Sequence, residues 1–323
     1  MYERFAKKIH AIETVAVFMH INPDGDCVGS ALAMYGFLKN LGKQVDVFME
    51  EGHCYSDGLS FFPYLEVINA SERKQYDLGI AVDCGSASRL GSGCYKRFMR
   101  CDQHFCIDHH QSGELFTLPE DTILEPKAAS TTQILFKIFR ETAPEAIDTA
   151  VATLLFAGLV TDSGALTFSS ATPETYRVAA SLCETGIDRY DIIRRLTKDT
   201  AKKVFMLSAK VLERTEFYAD DRIGLIYFSE ELFRLTGTAQ KDTEGIINRV
   251  IDVIPVCLAL SVVEATPGTF KIGIRSKNGV NSAAFAGLFG GGGHVAASGC
   301  RLYGTYEEVH DRLIAAAIEF LNR

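Results

Sequence analysis

The sequence lacks an excess of positive charge. Its 323 residues include 33 lysines and arginines against 41 aspartates and glutamates, which gives a formal net charge of −8 at pH 7. Proteins that hold long nucleic acids usually draw a large part of that affinity from neutralising many phosphates with basic side chains. We therefore expect no long nucleic acid as a partner. A small anionic substrate, held by a local site or by metal ions, is compatible with this charge.

Paired cysteines are also missing. There are nine cysteines, an odd number, and none form a Cys-x-x-Cys pair; Cys101 and Cys106 are the closest two. This pattern argues against a disulfide scaffold and against a zinc ribbon. We expect most of the cysteines to be small core residues in a reducing cytosol.

Long hydrophobic runs are absent as well. The longest strongly apolar stretch, residues 150–160, is too short to span a bilayer. The first residues form an amphipathic segment without the apolar core of a secretion signal. These features predict a cytoplasmic protein that does not associate with membranes.

Two common catalytic signatures are not found. The sequence has no Gly-x-Ser-x-Gly nucleophile elbow, and its glycine run at 290–293 is not followed by Gly-Lys-Ser/Thr. A serine-nucleophile hydrolase and a Walker-type phosphate-binding loop are therefore disfavoured. A hydrolysis mechanism that uses no side-chain nucleophile is compatible with this sequence.

Apolar segments that alternate with helical patterns fill the first half of the chain. Buried strands are predicted at residues 14–19, 44–49, 76–82 and 104–107. Helices are predicted at 31–39, 128–139, 145–160 and 174–185. This alternation indicates an α/β fold whose N-terminal domain has a parallel sheet with helices on both faces.

Side chains of the kind that bind metals follow these strands and helices. They are His20, Asp24, Asp26, Asp83, His109 and Asp162. In an open α/β sheet the carboxyl ends of the strands meet at one edge, where ligands bind. Carboxylates together with imidazole suit Mn²⁺ or Fe²⁺. Because an aspartate at such a position is also a common helix cap, capping and metal binding both remain open from spacing alone.

The second half of the chain has a different pattern. A charged helical segment at 188–217 precedes predicted strands at 223–228, 256–264 and 269–275, and a helix at 306–322 ends the chain. Pro267-Gly268 predicts a hairpin turn. Four glycines at 290–293 allow backbone amides to converge on an anion, although a tight turn explains them equally well. We predict a smaller α+β domain here.

The ordered set of motifs resembles a known family. His20-x-Asn22-Pro23-Asp24-Gly25-Asp26, Asp83, Asp108-His109-His110 and Asp162 resemble the four motifs of the DHH phosphoesterase superfamily. The run from Gly290 to Gly299, with His294 after the four glycines, resembles the signature of the DHH-associated C-terminal domain. The resemblance covers essentially the whole chain. It is greatest to the phosphodiesterases of short oligoribonucleotides that also dephosphorylate 3′-phosphoadenosine 5′-phosphate.

The resemblance implies a domain organisation. It predicts a DHH catalytic domain at 1–187, a helical linker at 188–217 and a DHH-associated substrate-binding domain at 218–323, with a cleft between the two domains.

The resemblance also implies two Mn²⁺ ions per active site, with Mg²⁺ or Co²⁺ as possible substitutes. His20, Asp24 and Asp83 match the ligands of one ion. Asp26, Asp83, His109 and Asp162 match those of the other, so that Asp83 bridges the two.

Further site residues follow from the same resemblance. Asp83, Asp108 and His110 are the expected catalytic residues; His110 would face the substrate phosphate, and Asp108 would orient a histidine. The expected substrate-binding residues are Arg89, Arg275, Ser276, Gly291, Gly292, Gly293 and His294. A structural salt bridge is an equally good explanation of Arg89.

The function expected from this resemblance is metal-dependent hydrolysis of oligoribonucleotides of two to five nucleotides, and of 3′-phosphoadenosine 5′-phosphate to AMP. Phosphodiesterases of cyclic or linear dinucleotides are an alternative within the class. A non-catalytic nucleotide-binding protein is the alternative from another class. The expected partners are these short substrates, with the protein as a monomer or a homodimer.

Overall fold

The computed structural model describes residues 2–110 and 115–322, and the chain divides into two compact units, Met1–Asp199 and Thr200–Arg323. The segment 188–217, predicted as a helical linker, contributes one helix to each unit.

The described residues contain the following regular elements. The strands are β1 (Thr14–Phe18), β2 (Gln44–Phe48), β3 (Leu78–Val82), β4 (Gln103–Asp108), β5 (Thr122–Leu124), β6 (Glu216–Tyr218), β7 (Ile223–Phe228), β8 (Leu258–Thr266), β9 (Thr269–Ser276), β10 (Gly292–Gly293) and β11 (Ala297–Tyr303). The α-helices are α1 (Tyr2–Ala11), α2 (Gly25–Asn40), α3 (Ala87–Leu90), α4 (Ser92–Phe98), α5 (Thr131–Thr142), α6 (Thr149–Asp162), α7 (Pro173–Glu184), α8 (Arg189–Thr197), α9 (Lys202–Leu212), α10 (Glu230–Thr236), α11 (Ile247–Ile251), α12 (Ser282–Gly287) and α13 (Tyr306–Leu321). Short 3₁₀ helices lie at Asp57–Leu59, Leu65–Val67, Pro119–Asp121, Pro144–Ala146 and Gln240–Thr243.

The first unit contains the parallel sheet that the sequence predicts. Its five strands have the order β2-β1-β3-β4-β5, and every neighbouring pair is parallel. The strand order reverses between β1 and β3, and ligands of such folds bind in the crevice at that reversal. The predicted α/β class is confirmed.

Two glycines let the helices above this sheet approach each other closely. A Cβ at Gly29 of α2 would lie 2.8 Å from the carbonyl oxygen of Leu154 in α6. A Cβ at Gly158 of α6 would lie 2.5 Å from a methyl carbon of Thr132 in α5. Only glycine permits this contact of α2, α5 and α6. The contact places the start of α2, the start of α5 and the end of α6 together.

Three of the predicted helices have the wrong boundaries. The helix predicted at 128–139 lies three residues later, at Thr131–Thr142, because Ser130 caps it by accepting a hydrogen bond from Gln133 N at 3.1 Å. The helix predicted at 145–160 is divided: Pro144–Ala146 forms a 3₁₀ turn, and α6 begins only at Thr149, because Asp148 caps it by accepting a hydrogen bond from Val151 N at 2.8 Å. Helix α2 begins at Gly25, six residues before the prediction, since the cap at Asp24 lies within the acidic motif.

The second unit is a six-stranded mixed sheet in the order β10-β11-β9-β8-β7-β6, in which only β7 and β8 pair in parallel. The predicted hairpin at Pro267-Gly268 joins β8 to β9. One face of the sheet is packed into a core with side chains of α12 and α13, such as Phe285 and Leu313. On the other face, side chains of α9, α10 and α11 cover β7 and β8.

No helix within residues 2–110 and 115–322 is long and apolar enough to cross a lipid bilayer.

Candidate active site

Polar side chains converge where β1, β3 and β4 end. His20 follows β1, Asp83 follows β3, and Asp108 is the last residue of β4, directly before His109 and His110. The end of α6 adds Asp162, and the first turn of α2 adds Asp26. All of these elements belong to the first unit, and the side chains lie at the carboxyl edge where its strand order reverses.

The Asp26 carboxylate is fully buried and held by the start of α5. Its Oδ2 accepts a hydrogen bond from Thr131 N at 2.6 Å, and its Oδ1 accepts from Thr132 N at 3.0 Å and Thr132 Oγ1 at 2.7 Å. A helix N-terminus offers unpaired N–H groups and a positive dipole end, so it favours an anion there. Even so, burial and the charges of Asp162 and Asp83 raise the pKa of Asp26 well above its usual range.

Asp83 lies at the centre of the site. It is 1 % exposed, and its backbone is left-handed with φ of +55°, a conformation that aspartate and asparagine tolerate better than most residues. Its Oδ1 accepts a hydrogen bond from Thr131 Oγ1 at 2.9 Å. Burial alone would raise the pKa of Asp83, but His20, His109 and His110 outweigh it and hold the pKa far below the usual range.

Two histidines turn the same ring nitrogen toward the carboxylates. The Nδ1 of His20 lies 2.8 Å from the carbonyl oxygen of Ile21, and the Nδ1 of His109 lies 3.3 Å from that of Ala128. With Nδ1 donating to these carbonyls, the neutral form of each ring presents the Nε2 lone pair toward the carboxylates. The Nε2 atoms of His20 and His109 lie 3.4 Å and 3.5 Å from the two oxygens of Asp83. Metal-binding histidines are commonly fixed by such a bond from their second nitrogen.

Asp162, the last residue of α6, borders the site. Its Oδ2 lies 3.1 Å from His109 Nε2, and Asp26 Oδ2 lies 4.0 Å from the same nitrogen. Burial would lower the pKa of His109, but Asp162, Asp83 and Asp26 raise it to about 10. Burial raises the pKa of Asp162 to about 6. Three carboxylates within reach of one imidazole form a strongly anionic site.

The donor set fits divalent cations. There are three groups of possible donor residues, and within each group the donor atoms lie within 4.8 Å of one another. The groups are His20 with Cys27 and Asp83, Asp83 with His109 and His110, and Asp26 with His109 and Asp162. The buried Nε2 of His20 has no hydrogen-bond partner, although such atoms normally have one. A cation would satisfy that lone pair and neutralise the carboxylates. Oxygen and imidazole donors together suit Mn²⁺ and its neighbours better than Mg²⁺.

Asp24 takes a different position from the other predicted ligands. It is exposed, and its Oδ1 caps α2 by accepting hydrogen bonds from Asp26 N at 3.1 Å and Cys27 N at 3.0 Å. It belongs to none of the three donor groups among the described residues. Its predicted role as a metal ligand therefore stays a prediction, while its capping role is visible.

Asp108, His110 and Arg89 form a chain of contacts beside the carboxylates. Asp108 Oδ1 lies 2.7 Å from His110 Nδ1, and it also accepts from the backbone N–H of His109 at 2.9 Å. Arg89 Nη1 lies 3.3 Å from His110 Nε2. With Nδ1 donating to Asp108, the Nε2 of His110 accepts from Arg89. The structure thus brings Arg89 to this site and gives Asp108 the geometry of a residue that orients His110.

The remaining predicted residues lie in the second unit. Arg275 on β9 is partly buried, and its Nη1 donates to the carbonyl oxygen of Ile274 at 3.0 Å. Burial lowers the pKa of Arg275, and the charge of Glu244 offsets this only in part. The Ser276 hydroxyl is buried and lies 2.8 Å and 2.9 Å from the carbonyl oxygens of Val280 and Val295. This geometry gives Ser276 a loop-fixing role; its predicted substrate contact stays a prediction.

The glycine stretch forms a tight hairpin against β11. A Cβ at Gly291 would lie 2.3 Å from the carbonyl oxygen of Gly299, and one at Gly293 would lie 2.6 Å from that of Ala297. A Cβ at Gly292 would meet nothing within 4 Å. Two of these glycines are therefore required by packing, whereas Gly292 faces open space. His294 follows them on the exposed end of the hairpin, and its N–H donates to Ala297 at 2.7 Å.

Three residues of the site carry no prediction from the sequence. Thr131 and Thr132 hold Asp26 and Asp83, although their Ser-Thr-Thr run indicates only a helix start. Cys27 lies in the acidic motif, and its Sγ accepts from His20 N at 3.4 Å. Burial raises the pKa of the Cys27 thiol well above its usual range. No spacing rule would have identified Thr131 and Thr132, since their partners are distant in sequence.

The chain is similar to several known proteins. Residues 14–159 match the family model described as DHH family, N-terminal domain. The bifunctional oligoribonuclease and PAP phosphatase NrnA of Thermus thermophilus is 26 % identical over 98 % of this chain and 94 % of that protein. The Bacillus subtilis protein of the same name is 21 % identical over 98 % of this chain and 97 % of its own. A crystal structure of an exopolyphosphatase-related protein from Bacteroides fragilis superimposes with a TM-score of 0.90 at 26 % identity, covering 99 % of this chain and 95 % of that one.

Proposed function

We propose, since residues 14–159 match the model of the DHH family N-terminal domain, that the chain is a metal-dependent phosphoesterase of short oligoribonucleotides. Substrates of two to five nucleotides would be hydrolysed to mononucleotides, and 3′-phosphoadenosine 5′-phosphate would be dephosphorylated to AMP. Relatives that match nearly the whole chain are named as enzymes with both activities, which supports the proposal.

One observation carries this proposal. Asp26, Asp83 and Asp162 surround His109 Nε2 within 4.0 Å at the carboxyl edge of a parallel sheet, and His20 approaches Asp83 from the other side. Two fully buried carboxylates with a third that is 21 % exposed are costly without compensating positive charge. The cluster is therefore better explained as a cation site than as helix capping, which needs one carboxylate per helix.

We assign the ligands to two ions in the proposed site. Asp26, Asp83, His109 and Asp162 would hold one, and His20 and Asp83, with the predicted Asp24, would hold the other. A pair of divalent cations supplies charge neutralisation on the phosphoryl oxygens and a water acidic enough to attack phosphorus near neutral pH. Mn²⁺ is the proposed metal because two imidazoles accompany the carboxylates.

The residues beside this cluster have roles that need no metal. Arg89 has guanidinium N–H groups besides the one directed to His110, and these would bind phosphoryl oxygens in a bidentate manner. Asp108 holds the His110 ring through Nδ1, so that Nε2 faces Arg89 and the substrate phosphate. A ring fixed in this way loses little freedom when substrate binds.

The second unit would also contribute substrate-binding residues. Arg275 is a partly buried cation with no carboxylate within salt-bridge distance in the described part of the chain, which suits a phosphate. Gly292 and His294 lie at the exposed end of the hairpin, where a ligand can approach the backbone. The proposed division is a catalytic domain at 1–187, a linker at 188–217 and a substrate-binding domain at 218–323.

Turnover of four substrates with Mn²⁺ tests the proposal: a 5′-labelled RNA dinucleotide, a 24-nucleotide RNA, a cyclic dinucleotide and 3′-phosphoadenosine 5′-phosphate. Asp83→Asn is the inactive variant, since asparagine tolerates the left-handed backbone there. Asp311→Asn is the matched control, because its side chain is 84 % exposed. We expect fast cleavage of the dinucleotide and of 3′-phosphoadenosine 5′-phosphate, lost in Asp83→Asn only. Preference for the 24-mer or the cyclic dinucleotide would overturn the substrate assignment, and an active Asp83→Asn would overturn the site.

A further inference from the structure

One face of the β9–β11 strand pair is exposed and basic. The antiparallel register places Arg275 opposite Ala297, Gly273 opposite Gly299, and Lys271 opposite Arg301. Residues directly opposite each other point to the same side of a sheet, and alternate residues point to the other side. The alternate residues, such as Ile272 and Cys300, are buried in the core with α12 and α13. The set with Lys271 and Arg301 therefore shares the outer face, and we call it the outer face of β9–β11.

Lys271 and Arg301 form a like-charge pair on this face. Both side chains are exposed, and they lie directly opposite each other across the two strands. Like charges in this position destabilise a sheet. Neither residue makes an ion pair or a side-chain hydrogen bond with any residue in the described parts of the chain. The acidic residue of the adjacent strand β8, Glu264, points to the opposite face, where its Oε2 accepts from the Tyr227 hydroxyl at 3.2 Å.

An aromatic side chain continues the same face. Tyr303 lies two residues beyond Arg301 on β11, so its ring points to the same side, and it is 69 % exposed. Exposed aromatic rings beside cations are the features with which proteins bind single-stranded nucleic acid, by stacking bases on the ring and by pairing phosphates with the cations. Glycines at 273 and 299 leave the surface between Arg275 and the Lys271–Arg301 pair free of large side chains.

We propose that the outer face of β9–β11 binds the phosphates and a base of single-stranded RNA substrates beyond the nucleotide held at Arg275. Lys271 and Arg301 contact phosphates, and Tyr303 stacks on a base. This inference rests on the proposed function, because it names further contacts for the substrates of that enzyme. It makes binding depend on substrate length: a dinucleotide reaches Arg275 alone, whereas a longer substrate also reaches the cation pair.

The spacing along the strand agrees with this length. Lys271 and Arg275 are four positions apart on β9, which is about 13 Å of strand at about 3.3 Å per residue. Phosphates in a helical strand advance about 3.4 Å each, so this distance corresponds to about four stacked nucleotides and to fewer in an extended strand. A substrate of five nucleotides, the upper limit proposed above, is therefore long enough to contact both Arg275 and the Lys271–Arg301 pair.

The test compares a double variant, Lys271→Ala with Arg301→Ala, with the wild type. The matched control is Lys7→Ala with Lys74→Ala, which removes two exposed cations of the first unit and gives the same net charge. Binding of a fluorescein-labelled RNA pentanucleotide is measured by anisotropy in EDTA, so that no cleavage occurs, between 50 and 300 mM salt. KM is then measured with Mn²⁺ for the pentanucleotide and for the dinucleotide. Tyr303→Ala and Tyr303→Phe test the stacking contact.

We expect the double variant to bind the pentanucleotide about tenfold more weakly. The slope of its salt dependence should fall by about 0.7 for each phosphate that the protein no longer neutralises. KM for the dinucleotide should change far less than KM for the pentanucleotide. Tyr303→Phe should retain the affinity that Tyr303→Ala loses. The control pair should behave as the wild type.

Different results separate the inference from the proposed function. Equal effects on both substrate lengths, an unchanged salt slope, or no pentanucleotide binding by the wild type would overturn the inference. If the wild type cleaves none of the substrates but binds the pentanucleotide through Lys271 and Arg301, the inference stands and the proposed enzymatic function fails.

Discussion

The hydroxyl of Thr131 donates a hydrogen bond of 2.9 Å to Asp83 Oδ1, and both side chains are fully buried. The same residue donates its backbone N–H to Asp26 Oδ2 at 2.6 Å. One residue at the start of α5 therefore fixes two carboxylates that come from the end of β3 and the start of α2. The positions of both carboxylates depend on where α5 begins.

Replacing Thr131 by valine should weaken metal binding without unfolding the protein. Valine keeps the shape and the backbone N–H but removes the hydroxyl that orients Asp83. Residues that orient a ligand typically contribute 10- to 100-fold to metal affinity. Calorimetric titration of metal-free protein with Mn²⁺ should show a loss of that size, and Thr131→Ser should restore most of it. Unchanged affinity in Thr131→Val would show that Asp83 needs no support from α5.

Asp108→Asn and Asp108→Ala should separate orientation of His110 from stability. Asparagine retains an oxygen that accepts from His110 Nδ1 and from the backbone of His109, so we expect a loss of about 10- to 100-fold in kcat with a normal melting temperature. Alanine removes all of these acceptors and should cost more activity and some stability. Steady-state kinetics and thermal unfolding of both variants check this. Equal activity of wild type and Asp108→Ala would contradict the orienting role.

Alanine at Gly291 and at Gly292 should affect different properties of the protein. A Cβ at Gly291 would meet the Gly299 carbonyl oxygen at 2.3 Å, so the hairpin must shift, and we expect a loss of about 1–3 kcal/mol in the free energy of unfolding. Gly292→Ala meets nothing within 4 Å and should leave stability unchanged. If a substrate approaches this backbone, Gly292→Ala will still raise KM, because the methyl group blocks the approach.

Urea unfolding and dinucleotide kinetics of the two variants provide the measurement. A stable Gly292→Ala protein with unchanged KM would leave the stretch as a tight turn only, which is the other explanation that the sequence allows.

Asp46 should make the first unit sensitive to acid. Burial would raise the pKa of Asp46, but hydrogen bonds from Ser71, Tyr76 and Arg73 outweigh it and lower the pKa. A carboxylate whose pKa is lower in the folded state stabilises the fold above its unfolded pKa of about 3.9, and this stabilisation is lost as the pH falls through the folded value. We expect Asp46→Asn to lose about 1–3 kcal/mol at pH 7.

The difference between wild type and Asp46→Asn should be constant from pH 7 down to about pH 5 and should shrink below about pH 4. Urea unfolding at pH 7, 5, 4 and 3 measures it. A difference that grows toward low pH would contradict the lowered pKa of Asp46.

The alternation of apolar and helical segments was sufficient to predict the parallel sheet. Five-residue buried strands such as β3 leave a strong local pattern, because every side chain of a fully buried strand is apolar. The same pattern placed His20, Asp83 and His109 directly after strands. Since the carboxyl ends of parallel strands share one edge, the sequence also predicted that these residues lie near each other.

Helix boundaries were less predictable because capping decides them locally. Asp24 belongs to the acidic motif and is also the N-cap residue of α2, and the sequence alone cannot separate metal binding from capping. Asp148 caps α6, so that the helix begins at Thr149, four residues after the start predicted from periodicity. In both cases one side-chain acceptor outweighed the apolar pattern.

What the sequence by itself determined is the sheet, and the residue types that stand where its strands end. Only the tertiary structure decided which of them meet. The glycine contacts of α2, α5 and α6 bring Asp26 and Asp162 to the same imidazole and place Thr131 between two carboxylates. The register of β9 and β11 places Lys271 opposite Arg301. These pairs are distant in sequence, and their contact depends on packing at single methyl groups and on strand register, which leave no local pattern in the chain.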